Sequence, residues 1–393
     1  MIERIVWILL TIFVFTIPWE KSVWVPGIGT LTRLLGFLAL IFGAAAALRR
    51  RSIRLPNLAL LLAALFVIWE GLTWFWSLNP GASAARAATF AQLFAMFWLV
   101  WDQCRTESAQ RQLLHAYVAG AVVASGDTVL RYLLNQQTYW RRYAAAGFDP
   151  NDLGLTLALA IPMALFLAHR EGWTSWLYRA AIVLIEVAIL LTASRTAAIV
   201  TALAFSYALL TWRISTRMQW TTAVALLLFF AAGMVAFAPR ASRERLATLP
   251  GELAAGTLHN RTRIWKTGLK ALKQHPIVGV GAGAYPEAVK PWLGVPAIPG
   301  HEYVAHNTFL SVLVETGLLG FTLFAGLLAA CALFIWILPR TERDLWLVAG
   351  AVWAVGVCTL SWEHRKPGWL LLALITCAWA RAFWPRPDLP IKK

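Results

Sequence analysis

The sequence predicts an all-α polytopic membrane protein, on three observations. Of its 393 residues, 59% are hydrophobic and only 14% charged, with a mean hydropathy of +0.63; ordinary soluble domains carry roughly 25% charged residues. Twelve apolar stretches reach or approach the about 20 residues that a helix needs to cross a bilayer. The net charge of +16 is distributed unevenly between alternate connections. This composition excludes a soluble globular protein, a disordered chain and a fibrous repeat.

The stretches lie at about 4–19, 28–48, 57–76, 83–101, 112–133, 152–168, 177–192, 195–212, 219–238, 306–337, 344–361 and 368–384. The first resembles a signal peptide. It lacks a small-residue cleavage site, however, and runs into Pro18-Trp19-Glu20, so it is read as a membrane helix. Pro150-Asn151 reads as a helix start, because Asn and Asp cap helices well. The 306–337 stretch is overlong, and is expected to tilt or to begin outside the hydrocarbon. Trp19, Trp76, Trp101, Trp212 and Trp384 sit at span ends, as interfacial anchors do. No internal repeat is visible. Cys104, Cys331, Cys358 and Cys377 form no CxxC pair, which argues against a disulfide framework or a thiolate metal site.

Twelve spans put both termini on one side. With a cytoplasmic N-terminus, seventeen Lys and Arg fall in inside segments, nine in short outward segments and nine in one long outward loop. The positive-inside rule therefore predicts cytoplasmic N- and C-termini. The chain divides into residues 1–238, nine spans with short loops; residues 239–305, the long loop; and residues 306–393, three spans and a tail. Long loops in compact proteins are usually functional or disordered. This one has seven Pro and eight Gly in 67 residues, and it contains a predicted helix at about 261–274.

On a wheel of 100° per residue, Arg261, Trp265, Gly268, Leu269 and Leu272 share one stripe, and Arg263, Lys266, Lys270 and Lys273 share another. Arg263 then faces water or lipid headgroups, whereas Arg261 begins the inward seam and must have a partner. That partner is either a structural carboxylate or an anionic ligand at the helix N-terminus. Arg195, in Thr192-Ala-Ser-Arg-Thr-Ala197, joins two spans with almost no loop. It is a site candidate at membrane depth or a snorkelling interfacial cation. His306 opens an apolar span and suits either a general base near neutral pH or a structural role. Its neighbour His301, five residues away, does not align with it for a metal, and no HExxH spacing exists. The Gly279–Gly283 run lacks the lysine of a phosphate loop, and reads as a tight turn against the membrane. Glu70, Asp127, Glu186 and Glu315 are intramembrane carboxylates that either relay protons or pair with arginines. Two guanidinium groups suit a diphosphate, and an adjacent base suits activation of a hydroxyl.

Together, Ala193-Ser-Arg-Thr-Ala197, Asn260-Arg-Thr-Arg-Ile-Trp265, the Pro276-to-Gly283 run and His306-Asn-Thr-Phe-Leu310 followed by Glu315-Thr-Gly-Leu-Leu-Gly320 resemble the O-antigen ligase / Wzy-type polymerase superfamily. The family's usual Gly before its second arginine is Asn260 here, and Arg-Thr-x-Ile-Trp marks Arg261, not Arg263, as the match. The resemblance implies a GT-C-like fold with a periplasmic loop. It also implies metal-independent, cofactor-free, inverting glycosyl transfer at the periplasmic face of the inner membrane. The donor would be an undecaprenyl-diphosphate-linked glycan. The acceptor would be lipid A–core oligosaccharide for a ligase, or another lipid-linked repeat for a polymerase. Arg195 and Arg261 would hold the diphosphate and His306 would activate the acceptor; Arg263, Asn307 and Ser194 are further substrate-binding candidates. A transporter or flippase using the intramembrane carboxylates is the reading from another class. Membrane lipids are expected partners. Nucleic acid is not, because topology accounts for much of the positive charge.

Overall fold

A computed structural model describes residues 1–138, 142–169, 172–211, 216–236, 261–293 and 303–383. Each expected span contains a helix. These are α1 (Ile2–Thr16), α2 (Leu31–Arg50), α3 (Leu58–Leu72), α4 (Pro80–Gln103), α5 (Glu107–Leu133), α6 (Pro150–Leu167), α7 (Trp173–Thr192), α8 and α9 (Arg195–Ala204 and Ser206–Leu210) and α10 (Arg217–Ala236). Residues 239–305 contribute α11 (Arg261–Gln274) and α12 (Tyr285–Leu293), and the last three helices are α13 (Thr308–Ile337), α14 (Arg340–Val357) and α15 (Lys366–Phe383). Among the described residues, eight helical stretches are long and apolar enough to cross a membrane, and Arg195–Leu210 is a shorter apolar one. His301, Trp212, Trp384 and most of the loop flanking α11 and α12 lie outside the described residues.

The helices are apolar on the outside as well as the inside. On α3, Leu58, Leu61, Leu65, Ile68 and Leu72 are exposed, while Ala59, Ala63, Phe66 and Glu70 turn inward. That polarity is the reverse of a soluble helix, and it suits hydrocarbon on the exposed face. α6 is the central helix, with apolar side chains all round, and it packs against α5, α7, α8 and α14. Small residues bring the helices together. A Cβ at Gly120 would lie 2.0 Å from the Phe15 carbonyl oxygen, and one at Gly356 2.4 Å from Leu155 Cδ1, as expected for helix contacts in lipid. Between α1 and α2 a short antiparallel hairpin pairs Trp24 with Thr30.

Three expectations change. Trp101 is not an interfacial anchor: it is fully buried, beneath the Arg54 guanidinium at 3.6 Å, with its indole donating to the Leu55 carbonyl. α13 is broken rather than simply tilted. Gly317 takes φ 67° and ψ −170°, leaving a short first segment and a second that is itself long enough to span. The Gly279–Gly283 run does turn, with Ala284 N donating to the Gly281 carbonyl at 3.1 Å, but it inserts into this break. Val280 and Gly281 donate to the carbonyls of Val314 and Glu315 at 3.1 and 2.9 Å, and Leu318 and Leu319 donate to those of Pro276 and Ile277 at 2.9 and 3.1 Å. Trp69 takes the Thr316 carbonyl at 2.9 Å. These main-chain groups at the break thus find partners, as an apolar setting demands. The approach is close: a Cβ at Gly279 would lie 2.4 Å from the Glu315 carbonyl oxygen.

The intramembrane carboxylates do not act as one set. Asp127 pairs with Arg131 on its own helix at 3.2 Å and accepts from Ala146 N. Glu315 accepts from Gly283 N at 2.8 Å, so it helps seat the glycine run. Neither oxygen of buried Glu186 accepts a hydrogen bond from a described residue.

Candidate functional site

Arg195, Arg261 and His306 all occur at helix starts. α7 ends at Thr192, and Ala193 takes a left-handed conformation, φ 51°, which turns the chain sharply. Arg142 secures the turn by donating to the Thr192 carbonyl at 2.7 Å. Ser194 then caps α8 by accepting from Ala197 N at 3.3 Å, and Arg195, half-buried, is the first residue of that helix. His306 is also left-handed, φ 48°, a conformation uncommon outside glycine. Asn307 follows as the N-cap of α13, accepting from Leu310 N at 3.0 Å. The Ser194 hydroxyl and the Asn307 side-chain carbonyl are therefore engaged in capping, where they set the directions of the helices that Arg195 begins and His306 precedes.

These two helix starts are joined by the connection between α14 and α15. The Thr196 hydroxyl shares a hydrogen bond of 2.7 Å with that of Thr359. The next residue, Leu360, accepts from Thr308 Oγ1 at 2.8 Å, and Trp362 N donates to the same hydroxyl at 2.7 Å. Arg195 thus lies one residue from a contact on this connection, and His306 lies two residues from another. Arg261 joins through α11, whose Trp265 indole donates to the Ala305 carbonyl at 2.8 Å. Arg261 is half-buried one turn before Trp265, and Ala305 immediately precedes His306.

The wheel is right in part. Gly268 is buried, but the buried face runs through Thr267, Gly268 and Ala271, and Leu269 is 46% exposed. The cause is α12: Tyr285 covers this face and donates to the Ile264 carbonyl at 3.0 Å, and the periodicity of α11 carries no sign of that second helix. Arg263 is exposed, yet it does more than face water or headgroups. It donates to the Leu293 carbonyl at the end of α12, tying the two loop helices together.

From the sequence alone, the connection shows only two of the nine cations of the short outward segments, Arg365 and Lys366. The structure makes Trp362-Glu-His-Arg-Lys366 a hub. Buried Glu363 pairs with Arg86 of α4 at 3.1 Å and accepts from Ser311 of α13 at 3.1 Å. Arg86 also contacts His364 Nδ1. Burial pushes the Glu363 carboxyl upward, but hydrogen bonding to His364 and the charges of His364 and Arg86 outweigh it and hold the pKa at about 2. Burial and the Arg86 charge push His364 below its ordinary value. A run of five polar or aromatic residues in so apolar a chain is the signal that could have found it.

The helix bundle thus brings the helix starts of two arginines and an imidazole together through shared connections. The O-antigen ligase family model matches residues 180–325, an interval containing Arg195, Arg261 and His306. The exopolysaccharide production protein ExoQ of Rhizobium meliloti (strain 1021) is 29% identical over 299 residues, which is 67% of this chain and 62% of that protein. The chain is thus a multi-pass membrane protein similar to the O-antigen ligase / Wzy-type superfamily over residues 180–325, and it spans less than two thirds of the length of this relative.

Proposed function

We propose that the chain is an O-antigen ligase, transferring glycan from undecaprenyl diphosphate to lipid A–core oligosaccharide at the periplasmic face of the inner membrane. The observation that carries this reading is the joining of the Arg195, Arg261 and His306 helix starts at one end of the bundle, inside the family-matched interval. His306 accepts the proton of the acceptor hydroxyl. The acceptor oxygen bonds to the anomeric carbon as the bond from that carbon to the diphosphate oxygen breaks, with inversion. Arg195 and Arg261 stabilise the charge left on the diphosphate. One such electrostatic donor is typically worth about 3–4 kcal/mol, and a general base roughly 10²–10⁴-fold in rate.

A polymerase, which joins lipid-linked repeats, shares these steps and differs in acceptor. The relative named for exopolysaccharide production favours this second reading. Purified protein is tested with lipid-diphosphate glycan and rough lipopolysaccharide in the presence of EDTA. Product on lipopolysaccharide supports the ligase. Product formed only on a second lipid-linked repeat supports the polymerase, and lipid movement without a glycosidic bond overturns both.

A further inference from the structure

Asp152, in the first turn of α6, is surrounded by donors. Arg365 lies 2.7 Å and Lys21 3.6 Å from the same oxygen, Oδ2, while the Trp362 indole donates to Oδ1 at 3.2 Å. Two cations therefore share one carboxylate, which can neutralise only one of them. Nearby groups are already engaged. Lys366 pairs with Glu20, and Asp149 accepts from Asn151 N and Asp152 N as the cap of α6. Burial and the Arg365 charge lower the Lys21 pKa against the pull of Asp152, Glu20 and Asp149. Arg365 Nε is buried with no acceptor among the described residues. Both side chains nevertheless keep an open side, at 27% and 29% exposure.

This pair shares the end of the bundle that carries Arg195. The first turns of α6 and α8 are in contact: a Cβ at Gly154 would lie 2.5 Å from Ala197 Cβ and 3.4 Å from Ser194 Cβ. Arg365 belongs to the same connection as Thr359, the partner of Thr196. A partly desolvated cation pair with an unfilled donor fits an oxyanion, and guanidinium and ammonium groups together fit a phosphate.

We infer that Lys21 and Arg365 form a second phosphate-binding subsite, separate from Arg195 and Arg261, for a phosphate carried by one of the two lipid-linked substrates. The inference rests on the transferase reading above.

The test uses full-length protein in nanodiscs and two probes: a polyprenyl diphosphate, and a phosphorylated lipid A–type glycolipid beside its dephosphorylated form. Lys21→Met should weaken at least one phosphorylated probe on the order of tenfold, the loss of one charge-assisted contact, and Lys21→Arg should restore it. Weakened diphosphate binding assigns the subsite to the donor. Weakened glycolipid binding, absent with the dephosphorylated form, assigns it to the acceptor. Arg365 still holds Asp152 in Lys21→Met, so thermal unfolding should not shift. A lowered melting temperature with unchanged binding of both probes makes the pair purely structural and overturns the inference. If Lys21→Met binds both probes normally while Arg261→Ala loses the diphosphate, the subsite fails and the transferase reading stands. If the wild-type protein binds no polyprenyl diphosphate, both fall.

Discussion

Thr196 and Thr359 are 163 residues apart in sequence and share a hydrogen bond of 2.7 Å. Because Thr196 follows Arg195 directly, the orientation of this arginine depends on a connection more than 150 residues away. Thr359→Val removes the bond and preserves the shape. It should cost about 1 kcal/mol of stability and, by displacing the start of α8, slow transfer by up to roughly 100-fold. Thr359→Ser should recover most of the rate. Rates measured at saturating donor and acceptor check this, and an unchanged Thr359→Val rate would remove the connection from the site.

Replacing the three proposed site residues separately should leave expression and folding intact. Arg195→Ala and Arg261→Ala should each lower transfer by roughly 10²–10³-fold, and His306→Ala by roughly 10²–10⁴-fold. Arg263→Ala should retain most activity while lowering the melting temperature, because its contact is to the end of α12. An inactive Arg263→Ala beside an active Arg261→Ala would reverse the assignment of the two arginines.

Gly279→Ala should be among the most damaging single substitutions. The residue takes φ 74°, and a Cβ would press on the Glu315 carbonyl oxygen. Strain of about 1–3 kcal/mol is expected from the conformation alone, with the backbone clash added. Thermal unfolding in detergent is the measurement. A melting temperature equal to that of the wild type would mean that the glycine run does not enter the helix break.

Acid should loosen the hub around Glu363. The ordinary value of 4.5 falls to about 2 in the fold, so this carboxylate contributes stability that is complete above about 4.5 and lost as the pH falls toward 2. His364 is also depressed, from an ordinary 6.5. Its neutral form is favoured in the fold, and stability begins to decline as the pH drops below that value. Melting temperatures measured from pH 7 downward should fall in both windows. Glu363→Gln should flatten the lower one, and an unchanged slope there would remove Glu363 as its source.

The bundle was legible in the sequence because lipid imposes long apolar helices, and each predicted stretch contains one. Arg195, Arg261 and His306 were legible as ionisable residues beside helix starts. What stayed hidden depends on contacts distant in sequence. Leu269 faces outward because α12, not the wheel, sets the buried face of α11. Glu315, legible as a buried intramembrane carboxylate, also holds Gly283 N. The hub at Glu363 acquires its meaning only when α4 and α13 meet it.

The break at Gly317 also constrains how the chain is assembled. Val314, Glu315, Leu318 and Leu319 receive their main-chain partners from residues 276–281, which are synthesised earlier and lie between two membrane segments. If α13 kept this break without the glycine run, it would hold those bare peptide groups in hydrocarbon. The break is therefore stable only together with the intervening segment. A protein lacking residues 276–281 would thus lose part of a helix's own wiring, and α13 would either close across Gly317 or leave those groups unpaired.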